Sequence, residues 1–396
     1  MIKRNSKMIL VTGSARSGTT LLADCLNHHP QIMCVADAMN EFFKGFMKYA
    51  YYKLENEKKD SGYPIDNFFF SGSSRVREFI NQTDLEHKIP EYLRKEILQR
   101  MVIRDGSYCP EIIEPVKQLQ AKTFARLFLE ILRVLHSLYG SEQAAYFGIK
   151  TLWCEQLILP LARTFPNMVF VNIIRDPRAV VASNYVTKNN RYPLLFTIRD
   201  WRKSVYYSWK FPRMKLLKHR FIAIKYEDLV AAPERTLSGI TSLIGTRYDP
   251  AMTNHVFKEP NTSYRDQLAE PGISARFTEK WKQTLPKDII KKVENFAFSE
   301  MNKKGYRNFY LKSRLDLNNL LSLKDVPYQS LSDWCKDIVR DKKNYEQAWL
   351  LNNTLLEVIR ANLINAPDLT EDQGLLDKFF YEKDFYLWLK GKRSNV

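Results

Sequence analysis

Residues 8–12, Met-Ile-Leu-Val-Thr, form a short apolar run that passes directly into Gly13-Ser14-Ala15-Arg16-Ser17-Gly18-Thr19-Thr20, after which a helical pattern begins. A strand, a loop of small residues and a helix start make an anion site, because backbone N–H groups converge where the helix dipole is positive. The two glycines lie five positions apart, as in the phosphate loop GxxxxGK[ST], but Thr19 stands where that loop has its lysine. Arg16, inside the loop, is the available cation. An enzyme that uses a triphosphate needs the lysine together with metal ligands to neutralise the tail. A donor with fewer charges does not, and the alternative of a tight turn with no ligand stays open.

Three further runs resemble the first: 146–150, 169–174 and 221–225. Each is nearly continuous in apolar residues, as expected of strands buried on both faces of a parallel sheet. Helix-length segments are expected at 18–28, 115–139, 177–187, 198–210, 233–244 and 286–302, with Pro212 ending the helix before it. The alternation predicts an α/β fold: a P-loop-like parallel sheet flanked by helices. Residues 51–110 read as an inserted cap, with a phenylalanine cluster at Phe68, Phe69 and Phe70. Beyond residue 310 the pattern changes to short amphipathic helices. The expected organisation is therefore a domain over 1–310 and a helical C-terminal extension over 311–396.

The run 169–174 ends in Arg175-Asp176-Pro177, an N-cap and a first-turn proline that start a helix. Arg175 then stands at a strand's carboxyl end, where open α/β sheets bind ligands. Ser183 follows about two helical turns after the cap, near the same face. An arginine and a hydroxyl so placed can grip a second phosphate, although the same triplet also serves as a plain helix start.

These segments, taken in order, resemble the superfamily of sulfotransferases that use 3′-phosphoadenosine 5′-phosphosulfate (PAPS). Arg16, Ser17, Gly18, Thr19 and Thr20 match its loop for the 5′-phosphosulfate, and Arg175 with Ser183 matches its R-(x)7-S element for the 3′-phosphate. Lys225-Tyr226-Glu227-Asp228-Leu229 looks like a segment whose tyrosine lies near the nucleotide. Gly272-Ile273-Ser274 through Trp281-Lys282 resembles the late loop that closes over it. The likeness runs from about residue 8 to 307 and is nearest to the tyrosylprotein and carbohydrate branch. It implies sulfuryl transfer from PAPS to a hydroxyl or amine of a carbohydrate, glycolipid or other small molecule, without a metal.

The same resemblance assigns charge stabilisation to Arg16 and to Lys150, which closes the run 146–150. It places the general base at Asp37, the position of a glutamate in the tyrosylprotein branch, with Glu41 as the alternative and a helix N-cap as the structural role for Asp37. Two departures stand out. Leu152 occupies the place of the cytosolic branch's histidine, and Leu21 that of its tryptophan, so adenine stacking falls to Tyr226 or Trp281. His28, His29, His87, His136, His219 and His255 lack a telling partner and read as surface or packing residues.

Charge then enters the argument. The chain has 396 residues with 61 Lys and Arg against 44 Asp and Glu, a net charge of +17. The excess suits anionic partners and leaves open an acidic glycan, peripheral contact with an acidic membrane, and a homodimer. Its basic residues are dispersed and no nucleic-acid motif occurs, so nucleic acid is not expected. The competing readings are a P-loop nucleotide kinase, which would need a lysine at Thr19, and a basic anion-binding module. Five scattered cysteines support neither a zinc site nor a disulfide framework. The apolar run near the start is shorter than a signal peptide requires, which leads us to expect a cytoplasmic protein.

Overall fold

The computed structural model describes residues 2–55, 74–186, 191–254, 273–311 and 325–392. Phe68, Phe69 and Phe70 of the expected cap lie outside the described residues, as do Gly272 and His255. The chain divides into two compact units. The first comprises Met1–Gly13, Gly18–Ile174 and Phe211–Ile273, and the second Ser14–Ser17, Arg175–Lys210 and Ser274–Val396.

The first unit is built on a five-stranded sheet of β1 (Lys7–Thr12), β2 (Ile32–Ala36), β3 (Tyr146–Lys150), β4 (Met168–Ile174) and β5 (Phe221–Lys225) in the order β2-β3-β1-β4-β5. All neighbours pair in parallel. The four apolar runs are strands as expected, and β2 corrects the sequence reading by adding a fifth. Its five residues are the shortest kind of run and follow His29-Pro30 closely, so periodicity gave no separate signal. Being an edge strand, β2 is bonded on one side only, to β3, with Ala36 opposite Lys150.

One face of the sheet carries the helices Thr19–Asn27 and Pro233–Ile244. Leu22, Cys25 and Leu26 from the first, and Leu237, Ile240 and Ile244 from the second, close a core over Ile9, Val11, Val171 and Ile173. A phenylalanine cluster forms a second core, where Asn40–Glu55 meets Phe124–Tyr139. Phe46 and Phe124 meet edge to face at 4.9 Å between centroids, and Phe128 lies 4.9 Å from Phe165. The edge-to-face contact of Phe46 with Phe124 adds to the burial of both rings. The expected helix over 115–139 is two helices, Ile113–Lys117 and Phe124–Tyr139. Thr123 starts the second, its hydroxyl accepting from the Arg126 N–H at 3.2 Å, an N-cap that interrupts an otherwise helical pattern.

The second unit is helical. Pro177–Val186, Leu194–Lys210 and Lys287–Lys303 pack together, and the C-terminal helices Leu350–Asn365, Gln373–Phe380 and Lys383–Leu389 belong to the same unit. Its charged positions are unusual. Leu350–Asn365 turns Thr354, Glu357 and Arg360 inward and leaves Leu351, Leu355 and Ile359 outside. The buried charges are all partnered: Glu357 accepts from Arg202 at 2.6 and 2.9 Å and from Arg199 at 2.7 Å, while Arg360 pairs with Glu300. Trp209 packs at a tilt on Phe385 of the tail, and Tyr206 stacks on Tyr381. Among the described residues no helix is long and apolar enough to cross a membrane.

Burial alone would raise the Glu357 carboxyl, but the facing Arg202 and Arg199 outweigh it and hold it well below the usual carboxylate range. A carboxyl held low in the folded state adds stability that is complete above about pH 4.5 and is lost as the pH falls. Glu357→Gln is therefore expected to cost about 3 kcal/mol at neutral pH. That difference from the unchanged protein should shrink as chemical unfolding is repeated from about pH 5 downward.

Candidate active site

Most candidate residues stand at or just after the carboxyl end of a strand, and Ser183 lies on the helix that follows β4. In the first unit, β2 ends at Ala36 and β3 at Lys150, which are register partners. The Asp37 N–H donates to the Lys150 carbonyl at 2.9 Å, and the Lys150 ammonium donates to Asp37 Oδ2 at 2.7 Å. The ion pair is largely out of water, with side-chain exposures of 3% for Lys150 and 14% for Asp37. Asp37 has φ of 59°, left-handed, a conformation that costs a non-glycine residue about 1–3 kcal/mol and recurs at functional sites. The helix expected to start beside Asp37 begins at Asn40, and the carboxylate reaches Lys150.

Glu41, the alternative base, is 2% exposed and surrounded by cations. Its carboxylate accepts from Lys44 Nζ and Arg100 Nε, both at 2.9 Å, with Arg104 Nε at 3.6 Å. Its N–H donates to Asp105, whose carboxyl is raised well above the usual range by burial and by the nearby Glu41 charge. Burial also lowers the Lys44 ammonium to about 8. Glu41 thus organises a buried charge cluster.

Gly18 opens the helix Thr19–Asn27 with φ of 98°, a left-handed value that glycine tolerates. A Cβ there would also sit 2.4 Å from Tyr226 Cδ2. Tyr226 is buried and packs on the loop's last glycine, so the two landmarks meet. The Thr19 side chain is buried and Thr20 half-buried. Of the histidines of this unit, His29 bonds the Arg247 carbonyl and His87 bonds Thr83. The thiols of Cys34 and Cys109 are raised by burial, to about 12 and about 11.

In the second unit the loop segment Ser14–Ser17 turns tightly. Ser17 donates from both N–H and hydroxyl to the Ser14 carbonyl, at 3.3 and 2.6 Å, and Arg16 takes φ of 66°. The Arg175 guanidinium donates to the carbonyls of Arg16 at 3.3 Å and Phe277 at 3.0 Å. It thereby joins the phosphate loop to the late loop. The Trp201 indole N–H donates to the Arg175 carbonyl at 2.7 Å, fixing the backbone as well. Asp176 caps the helix Pro177–Val186 through the Arg178 N–H at 2.8 Å. Ser183 lies buried on that helix. Trp281 is buried with the Arg178 guanidinium 4.1 Å above its ring.

Sequence reading missed Asp200, which accepts from the Ala15 N–H within the loop at 3.0 Å. It lies inside a helix far along the chain, and no spacing rule links it to the loop.

Comparison with known proteins supplies the class, a transferase of the sulfuryl-transfer kind. The profile of the sulfotransferase family matches residues 8–250, and the chain belongs to that family. It is 19% identical over 311 residues to a provisionally named protein-tyrosine sulfotransferase of Caenorhabditis briggsae, covering 75% of this chain and 88% of that one. It is 24% identical to carbohydrate sulfotransferase 3 of Tetronarce californica, over 42% of each chain. Among solved structures it is similar to a sulfotransferase domain from the curacin biosynthetic pathway, with a TM-score of 0.45, 16% identity, and coverage of 77% of this chain and 99% of that one.

Truncating one member of a buried ion pair strands the other charge. Asp37→Ala and Lys150→Met are each expected to cost about 3 kcal/mol of stability. The double substitution should cost clearly less than the sum, as measured by denaturant unfolding of all four proteins.

Proposed function

We propose that the chain transfers the sulfuryl group of PAPS to a hydroxyl or amine of a carbohydrate, glycolipid or other small acceptor, in the cytoplasm. The observation that carries the reading is the Arg175 guanidinium resting on the carbonyls of Arg16 and Phe277. Three landmarks far apart in sequence, each resembling a donor-binding element, are thereby drawn to one side chain. The residues present suit such a donor. The loop offers backbone N–H groups at a helix start, and Ser14 Oγ is buried without a hydrogen-bond partner.

In this reading the loop Arg16, Ser17, Gly18, Thr19 and Thr20 takes the 5′-phosphosulfate, Arg175 and Ser183 take the 3′-phosphate, and Tyr226 backs the loop. The acceptor oxygen or nitrogen attacks sulfur in line. The bond between sulfur and the bridging oxygen breaks, and adenosine 3′,5′-bisphosphate leaves with the electron pair. Arg16 and Lys150 offset the charge that builds on the oxygens. Asp37 receives the acceptor proton, with the contact to Lys150 orienting its carboxylate. Glu41 is the weaker candidate because three cations already occupy its carboxylate. The relative named for carbohydrate supports that acceptor class, and the relative named for protein tyrosine adds a tyrosine hydroxyl as the competing acceptor. The kinase reading is disfavoured, because the buried Thr19 stands where a cation would be required.

Calorimetric titration with adenosine 3′,5′-bisphosphate should give micromolar binding that magnesium does not affect and that Arg175→Ala removes. Tight ATP binding that depends on magnesium, with no binding of the bisphosphate, would restore the kinase reading. Asp37→Asn keeps an oxygen facing Lys150. It is expected to bind the bisphosphate normally and to slow its release from PAPS by about 100-fold or more, in the presence of an acceptor found by screening.

A further inference from the structure

We propose that Asp200 is a positioning residue of the donor loop, holding the left-handed turn at Arg16 in the shape that receives the 5′ end of the donor. The inference rests on the PAPS reading and adds to it a residue outside every motif. Asp200 lies on the helix Leu194–Lys210 and is 2% exposed. Its Oδ2 accepts the Ala15 N–H at 3.0 Å. One residue on, the Arg16 carbonyl accepts from Arg175 at 3.3 Å. The peptide groups on either side of the Ala15–Arg16 pair are therefore both held from outside the loop. Between them Arg16 keeps φ of 66°, which sterics disfavour in a residue with a long side chain.

The Ser17-to-Ser14 bonds tighten the turn but leave the Ala15 N–H unanswered. Asp200 answers it with a charge-assisted bond, stronger than a neutral acceptor would make. A carboxylate is an expensive choice next to an anion-binding loop, because its charge opposes the ligand's. Lys203, itself fully buried, places its Nζ 3.7 Å from Asp200 Oδ1, within ion-pair reach, although burial pulls that ammonium well below its usual range. The arrangement gives up one loop N–H as a direct donor in exchange for a fixed direction of the Arg16 side chain. Preorganisation of this sort is felt only by a ligand that uses the loop.

The test compares adenosine 3′,5′-bisphosphate with adenosine 3′-monophosphate, which lacks the 5′ group, by calorimetric titration of the full chain. Asp200→Ala is expected to weaken the bisphosphate about tenfold and to leave the monophosphate unchanged. Asp200→Asn retains an acceptor oxygen for the Ala15 N–H and should restore bisphosphate affinity to within about threefold. If Asp200→Ala does not fold, Asp200→Leu, of similar size and without an acceptor, takes its place. Equal losses for both ligands would assign Asp200 a general structural role and overturn the proposal. So would unchanged bisphosphate affinity, or failure of Asp200→Asn to rescue. Absence of bisphosphate binding by the unchanged protein would instead remove the PAPS reading on which the proposal stands.

Discussion

Every strand of the sheet runs the same way, and that single constraint distributes the chemistry. Parallel strands cannot be joined by tight turns, so each leaves through a long crossover that starts at its carboxyl end. With β1 between β3 and β4, the connections diverge there, at the reversal point where open α/β sheets take ligands. The loop with Arg16 follows β1, Asp37 follows β2, Lys150 ends β3, Arg175 follows β4 and Tyr226 follows β5. Candidate residues spread over more than 200 positions thus each follow the exit of a strand.

Those exits are held under strain. Arg16, Asp37 and Trp153 are left-handed non-glycine residues, and they follow β1, β2 and β3 in turn. Such conformations persist where the surroundings over-determine them. For Asp37 the surroundings are the backbone and ammonium of Lys150, and for Arg16 the bonds from Ser17, Arg175 and Asp200 to its neighbourhood. The polar contacts that shape the site therefore act first on the backbone. Side-chain direction follows from it.

The two buried charge clusters contrast with these exits. Glu41 among Lys44, Arg100 and Arg104, and Glu357 among Arg199 and Arg202, are charges taken out of water and matched by partners. Pairs of this type contribute little net stability compared with apolar residues, but removing one partner is costly. They hold helices in defined registers. The Asp37–Lys150 pair differs because it ends two adjacent strands and its carboxylate retains some exposure.

Local pattern in the sequence determined the four apolar strands, most of the long helices, the loop after β1 and the helix start at Asp176-Pro177, because each depends on neighbours along the chain. It also marked the candidate residues, most of which lie within a short motif beside a strand end. It was silent on β2, whose pairing along one edge depends on β3, and it joined two helices that Thr123 separates. The surroundings of Glu41 could not be told from those of Asp37, because Arg100 and Arg104 lie about 60 residues away. Asp200 was invisible for the same reason: its partner Ala15 is 185 residues distant. Which side chains meet across such separations is a property of packing, and tertiary structure alone decided it.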